Sequence, residues 1–275
     1  MKKLKIGMPK YLNTYPLFFF LEAEESGVEL VFRVPRELNR MLVNKKIHAS
    51  LSSSIVYAKH FENFLVIPDI SISTVGEVKS VILCHRYPLP ELEGKRIAIT
   101  PETESSFNLL KVLCERFLRI FPEYVFLDKN WRQLEPREKE GFAGYLAIGD
   151  EALWLNLNSQ NFMITDLARL WLEFTHLPFV FALLIVRKDL NEEEIYRLKS
   201  FCCKLYLARA KGVSDLEKIV KQSNIKFPEE FAINYLMHLE YDFSGIKQRA
   251  FLKFCEYLKQ LGVLERVPEI NFFEI

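Results

Sequence analysis

The sequence predicts an α/β protein of two lobes with a ligand cleft between them. Three observations carry that expectation. Short apolar runs alternate with helical stretches from residue 4 to about residue 187. A proline-rich connector, YPLPELEGK (87–95), divides the alternation into two series. A long apolar run, LPFVFALLIVR (177–187), has the reach to return the chain from the second series to the first. Composition agrees. The chain has 275 residues, 49% hydrophobic and 27% charged, with 23 Phe, enough for one large or two modest domains with a dense core. A formal net charge of +1, with no block of like charges, argues against a polyanionic partner; a small anion needs only local dipoles.

In the first series, LKIGM (4–8) is a buried strand and YPLFFFLEAEE a helix with Pro16 in its first turn, where proline is tolerated. VELVFRV (28–34) is a strand, and PRELNRMLVNKK (35–46) a helix with Leu38, Met41 and Leu42 on one face. IHASLSS (47–53) is a strand, SIVYAKHF opens a helix, and FLVIPDISIS (64–73) and VKSVILCHR (78–86) are strands. The second series runs strand RIAIT, helix from PETESSFNLLKVLCERFLRIF, strands YVFLD and GYLAIGD, helix EALWL, strand NFMITD and helix LARLWLEFTH. Residues 191–263 are mostly helical by period. Strand–helix alternation predicts parallel sheets. Lobe one is expected over 1–88 and 184–275, lobe two over 89–183. Two lobes joined by extended crossovers describe the periplasmic-binding-protein-like type II fold, with the ligand in the interdomain cleft.

Polar turns at strand ends carry the functional signal. YLNTYP (11–16), SLSSSI (50–55), TPETESSFNLL (100–110) and IGDEAL (148–153) each place hydroxyls, amides or carboxylates at a helix start. Unpaired N–H groups and the helix dipole favour an anion there. Such residues also serve as ordinary helix caps. SSFNLL is the strongest candidate, because Ser105 and Ser106 exceed what one cap requires; Glu102 and Glu104 repel an anion unless they point away.

Other chemistries find little support. The histidines at 48, 60, 85, 176 and 238 lack metal-ligand spacing, and His48 reads as a satisfied buried residue. Cys84 and His85 are strand neighbours and point to opposite faces, which disfavours a nucleophilic pair. There is no Walker A, G-x-S-x-G or G-x-G-x-x-G string. Trp154 and Trp171 are expected in the core rather than as stacking platforms. Five cysteines without a disulfide pattern suggest a reducing compartment, and adjacent Cys202 and Cys203 cannot both face one core. MKKLKIG and LFFFL imitate a secretory leader, but the apolar run is too short and lacks a cleavage site. No segment approaches the ~20 apolar residues of a membrane span. The expectation is a soluble cytoplasmic protein that contacts neither nucleic acid nor membrane.

YLNTYPL, SLSSSIVYA, PDISISTVGEVKSVIL, TPETESSFNLLKVL, AIGDEAL and LWLEFTHLPFVFALLIV occur in that order over residues 6–187. Together they resemble the chorismate dehydratase family, which opens the futalosine route to menaquinone. The final third matches only in helical character. The resemblance implies a lyase that converts chorismate to 3-[(1-carboxyvinyl)oxy]benzoate and water, with no metal and no organic cofactor. It implies Asn13 and Asp150 as catalytic candidates. Its substrate-binding candidates are Tyr11, Thr14, Ser52, Ser53, Ser54, Ser80, Thr103, Ser105, Ser106 and Phe179. This chain departs from the pattern at His176, where glycine is expected, and in a strand ending LCHR rather than in small polar residues. The sister 1,4-dihydroxy-6-naphthoate synthases usually open nearer to SPCPND, unlike KYLNTYP.

For that reaction, charge develops on the ring carboxylate as the vinylogous proton leaves, so preorganised donors lower the barrier. The proton acceptor is either the substrate's own enolpyruvyl carboxylate, held close by the pocket, or Asp150 or Glu151 with a pKa raised by burial. An anion receptor of the same fold needs export, and a ligand-sensing regulator generally carries a DNA-binding segment ahead of the lobes; the opening residues suggest neither.

Overall fold

The computed structural model describes residues 3–22, 27–101, 103–159 and 162–275. Its strands are β1 (Leu4–Pro9), β2 (Val28–Arg33), β3 (Ala49–Ser53), β4 (Phe64–Thr74), β5 (Val81–His85), β6 (Arg96–Ile99), β7 (Glu123–Phe126), β8 (Gly144–Ile148), β9 (Met163–Asp166) and β10 (Phe179–Arg187). They form two five-stranded sheets, ordered β2-β1-β3-β10-β4 and β7-β6-β8-β5-β9. Each sheet belongs to one lobe. The chain crosses between lobes just before β5 and returns along β10, so the apolar run 177–187 does rejoin the first series.

Two expectations need correction. The sheets are mixed, not parallel: β10 runs antiparallel to β3 and β4, and β5 antiparallel to β8 and β9. Each of these strands enters its sheet from the other lobe rather than through a crossover within its own, and so arrives in the opposite sense. For the same reason Val81–His85, expected in lobe one, pairs inside the second sheet. The crossing is VGEVKS (75–80); the proline-rich stretch after β5 is a 3-10 turn, Leu89–Leu92, within lobe two.

The helices are α1 (Tyr15–Phe18), α2 (Pro35–Val43), α3 (Ser54–His60), α4 (Ser105–Val112), α5 (Pro136–Glu140), α6 (Gly149–Asn158), α7 (Leu167–Thr175), α8 (Glu192–Ser214), α9 (Leu216–Gln222), α10 (Glu229–Met237) and α11 (Gly245–Gln260). The expected helix from Tyr15 is only four residues long. Its continuous apolar run offers no polar face, and α8 lies hard against it. A Cβ at Gly212 of α8 would fall 2.0 Å from the Pro16 carbonyl oxygen, so only glycine permits this approach. Residues 23–26 of the expected helix lie outside the described residues. The long helix expected after β6 becomes π-helical over Leu113–Leu118, and α5 is an addition to the expected elements.

Trp171 is fully buried, with Phe117, Phe179, Phe254 and Tyr257 edge-on around it. In lobe two, Trp131 stacks on Tyr145 at 4.8 Å. Cys202 is buried and Cys203 exposed, as their helical spacing requires. Among the described residues no helix is long and apolar enough to cross a membrane.

Candidate functional site

The cleft holds a cavity of about 80 Å³, smaller than the ~300–1,000 Å³ usual for small-molecule sites. Lobe one contributes Tyr11, Asn13, Leu51, Ser53, Ile72, Phe181 and Ala182, and the opposite wall carries Ser80, Thr103, Glu104, Ser105, Ser106 and Gly149. No Lys or Arg is among the described lining residues. An anion here would be held by neutral donors and by the N-terminus of α4.

Asn13 lies in a 3-10 turn, Leu12–Thr14, that follows β1. The Thr14 hydroxyl bonds to the carbonyls of Pro9 and Tyr11, both at 2.8 Å, and stiffens that turn. Asn13 Oδ1 is buried without a hydrogen-bond partner. Across the cleft, Ser105 Oγ accepts from the Ile55 N–H at the start of α3 and lies 3.2 Å from Ser54 Oγ. Asn39 Nδ2 donates to Ser53 Oγ at 3.3 Å and to Glu104 Oε1 at 3.2 Å. Arg36 reaches the Pro101 carbonyl at 3.3 Å. The lobes therefore touch at the rim while the cavity stays open behind. Glu104 does not point away; it lines the cavity under the grip of Asn39. Glu102 lies outside the described residues.

Seven expected residues share this wall: Tyr11, Asn13, Ser53, Ser80, Thr103, Ser105 and Ser106. Five do not. Thr14 and Ser54 are buried in the hydrogen bonds just given. Ser52 is buried on the opposite face of β3 from Leu51 and Ser53, as strand alternation dictates. Phe179 sits in the Trp171 cluster, because a register shift between Val180 and Ala182 turns Phe181 and Ala182 to the cavity instead. Asp150 is one residue beyond Gly149, about 100° further round the helix. It faces a separate groove, and its Oδ1 accepts from the Leu12 N–H at 3.4 Å. It braces the Asn13 turn from behind.

Two contributors carry no motif. Tyr235 on α10 is 1% exposed and donates to Ser80 Oγ at 2.9 Å. Burial holds its phenol well above the ordinary range, while the neighbouring Ser80 and Asn13 side chains act the other way. Gly149 adopts φ +59°, and a Cβ there would lie 3.0 Å from the Tyr11 ring. A positive φ was detectable as a glycine between strand and helix; Tyr235 gave no signal within a helical period.

No histidine is among the described residues that line the cavity. His85 is buried, hydrogen-bonded to the Tyr87 carbonyl and to Thr165 Oγ1, both at 2.8 Å, and desolvation lowers its pKa. Burial pushes the Cys84 thiol up to about 12, so it is no nucleophile. His48 Nδ1 accepts from the Lys5 N–H at 2.9 Å, though the ring is only half-buried. His176 caps α7 at φ +56°, a conformation that explains why glycine is expected at this position. Trp154 departs from its core expectation: it is half-buried, with the Arg132 guanidinium 4.1 Å from its ring centre.

Known structures share this architecture. A protein from Archaeoglobus fulgidus superposes with a TM-score of 0.73 at 19% identity, covering 96% of this chain and 99% of the other. The periplasmic aliphatic sulphonate binding protein of Escherichia coli gives 0.63 at 13% identity, covering 100% and 94%. Those likenesses establish the periplasmic-binding-protein-like fold. By sequence, a chorismate dehydratase from Thermus thermophilus is 34% identical over 204 residues, covering 69% of this chain and 72% of the relative. A family described as menaquinone biosynthesis matches residues 4–260, and this chain belongs to that family.

Proposed function

We propose that this chain is a chorismate dehydratase, a carbon–oxygen lyase that forms 3-[(1-carboxyvinyl)oxy]benzoate in the futalosine route to menaquinone. One observation carries the reading: neutral hydrogen-bonding groups from both lobes surround one cavity, with the α4 N-terminus on its wall. A dicarboxylate needs such donors at separated points, and the similarity to the Thermus thermophilus enzyme supplies the substrate class. Five unpaired cysteines support action in a reducing, cytoplasmic setting.

The reaction breaks the C–H bond at the ether-bearing ring carbon. Its electron pair forms the last ring double bond as the neighbouring C–O bond breaks, and proton and hydroxide leave as water. Aromatisation drives the reaction, so the site must lower the barrier. Ser105, Ser106 and Thr103 beside the α4 N-terminus suit the ring carboxylate, where charge grows in the transition state. Asn13 suits the departing hydroxyl. With Asp150 and Glu151 on a separate groove, no histidine on the described cavity wall, and Glu104 held by Asn39, the substrate's own enolpyruvyl carboxylate is the proton acceptor, and positioning does the catalytic work.

Purified protein incubated with chorismate should yield an aromatic product lighter by one water, detected by mass and ultraviolet absorbance. Tight binding with the mass of chorismate unchanged defeats the proposal.

A further inference from the structure

Tyr235 belongs to no motif and to neither polar turn, yet it touches both sides of the cleft. Its phenol is almost wholly buried, so every hydrogen bond it makes is with protein. The O–H has one proton, and that proton goes to Ser80 Oγ at 2.9 Å. The oxygen that remains is an acceptor, and the Asn13 side chain lies beside it. Only the Nδ2 end of an amide donates. Asn13 Oδ1 is left buried and without a protein partner, on a residue that lines the cavity.

We propose that Tyr235 is a positioning residue that sets the hydrogen-bond polarity of the cleft, committing Asn13 to offer its carbonyl oxygen and Ser80 to offer its hydroxyl proton to the ligand. The inference rests on the chorismate reading for the ligand's identity. An orphaned acceptor calls for an O–H, and chorismate has one alcohol, the group lost in the reaction. Held by its own proton to Asn13, that hydroxyl is fixed in orientation while its C–O bond breaks; the proton taken from the ring completes the water. Ser80 already accepts from Tyr235, so its own O–H is free to turn to a carboxylate. The same helix grips the adjacent residue, with Lys79 Nζ donating to Asn234 Oδ1 at 2.6 Å. The crossing between lobes is thus tied to the site's polarity through α10.

Tyr235→Phe removes the oxygen and frees both neighbours. Its kcat for chorismate should fall by about tenfold or more, with KM changed less than about threefold. A competitive ligand lacking the ring hydroxyl separates positioning from simple support. The wild type should bind it about tenfold more weakly than chorismate, and the variant should lose most of that discrimination. A folded variant with unchanged kcat and unchanged discrimination overturns the proposal. So does a loss confined to melting temperature. If the phenylalanine variant does not fold, a fluorotyrosine incorporated at position 235 keeps the shape and makes the phenol more acidic; unchanged kcat and discrimination there overturn it equally. The NMR signal of the Asn13 side-chain amide reads the hydrogen bond without any substrate. One of its protons should show a bonded shift in the wild type that vanishes in Tyr235→Phe, and its absence in the wild type also overturns the assignment. Failure of the wild type to convert chorismate defeats the functional reading instead.

Discussion

Asn13 and Glu104 are the two cavity residues whose roles differ most from ordinary capping. Asn13 lines the cavity and leaves its carbonyl oxygen buried and unpaired, at a cost that a bound hydroxyl would relieve. Asn13→Ala should therefore lower kcat about tenfold to a hundredfold, with a much smaller change in KM, in steady-state assays with chorismate. Glu104 places a carboxylate on the wall of a site for a dianion. Glu104→Gln keeps an acceptor for Asn39 while removing like-charge repulsion, so KM should fall about threefold to tenfold. A raised KM would mean that the carboxylate contributes to binding. At this scale the sequence disclosed residue types but not always facing. Hydroxyls after strand ends were legible as a class. Which of Ser52, Ser53 and Ser54 reaches the ligand depends on a strand end whose phase the composition does not reveal. Phe179 against Phe181 depends on a bulge in β10, which carries no residue signature.

At the scale of elements, helix starts and crossings hold the site in place. Gly149 opens α6 in the left-handed region against the Tyr11 ring. Gly149→Ala should destabilise the protein by about 1–2 kcal/mol in urea unfolding, and push Tyr11 into the cavity to raise KM. Asp166 caps α7 through the N–H groups of Ala168 and Arg169, and its other oxygen accepts from Val78 and Lys79 in the crossing. Burial pushes its carboxyl from 3.8 up to about 6, against the pull of those four donors. Folding then takes up a proton between these values. Stability from this group is greatest below the unfolded value and is lost as the pH rises through about 6. Asp166→Asn abolishes the titration. The wild-type advantage over it should be larger at about pH 4.5 than at about pH 7.5, by roughly 2 kcal/mol in paired urea melts. A pH-independent difference contradicts the assignment. Most strands were legible from apolar runs bounded by turns. Their sense was not, because the direction of β5 and β10 follows from the lobe each arrives from.

At the rim of the cleft polar contacts join the two lobes, Asn39 to Glu104, Arg36 to Pro101 and Ser54 to Ser105, while behind it they share a buried apolar core around Trp171. Asn39→Ala removes the contact made to both lobes, and should raise KM about threefold to tenfold while leaving kcat within about twofold. Two lobes and a return strand were legible from the break in the alternation and the length of the run at 177–187. The part played by the C-terminal helices was not, since Tyr235 differs from any core tyrosine only in what it touches. The central claim is that groups from opposite lobes converge on one dianion. A crystal structure of the slow Asn13→Ala variant soaked with chorismate tests it most directly. The account predicts density for one ligand in the cleft, its ring carboxylate within hydrogen-bonding distance of Ser105 or Ser106 and its ring hydroxyl beside position 13. A ligand bound instead in the groove beside Asp150, or touching one lobe alone, would contradict it.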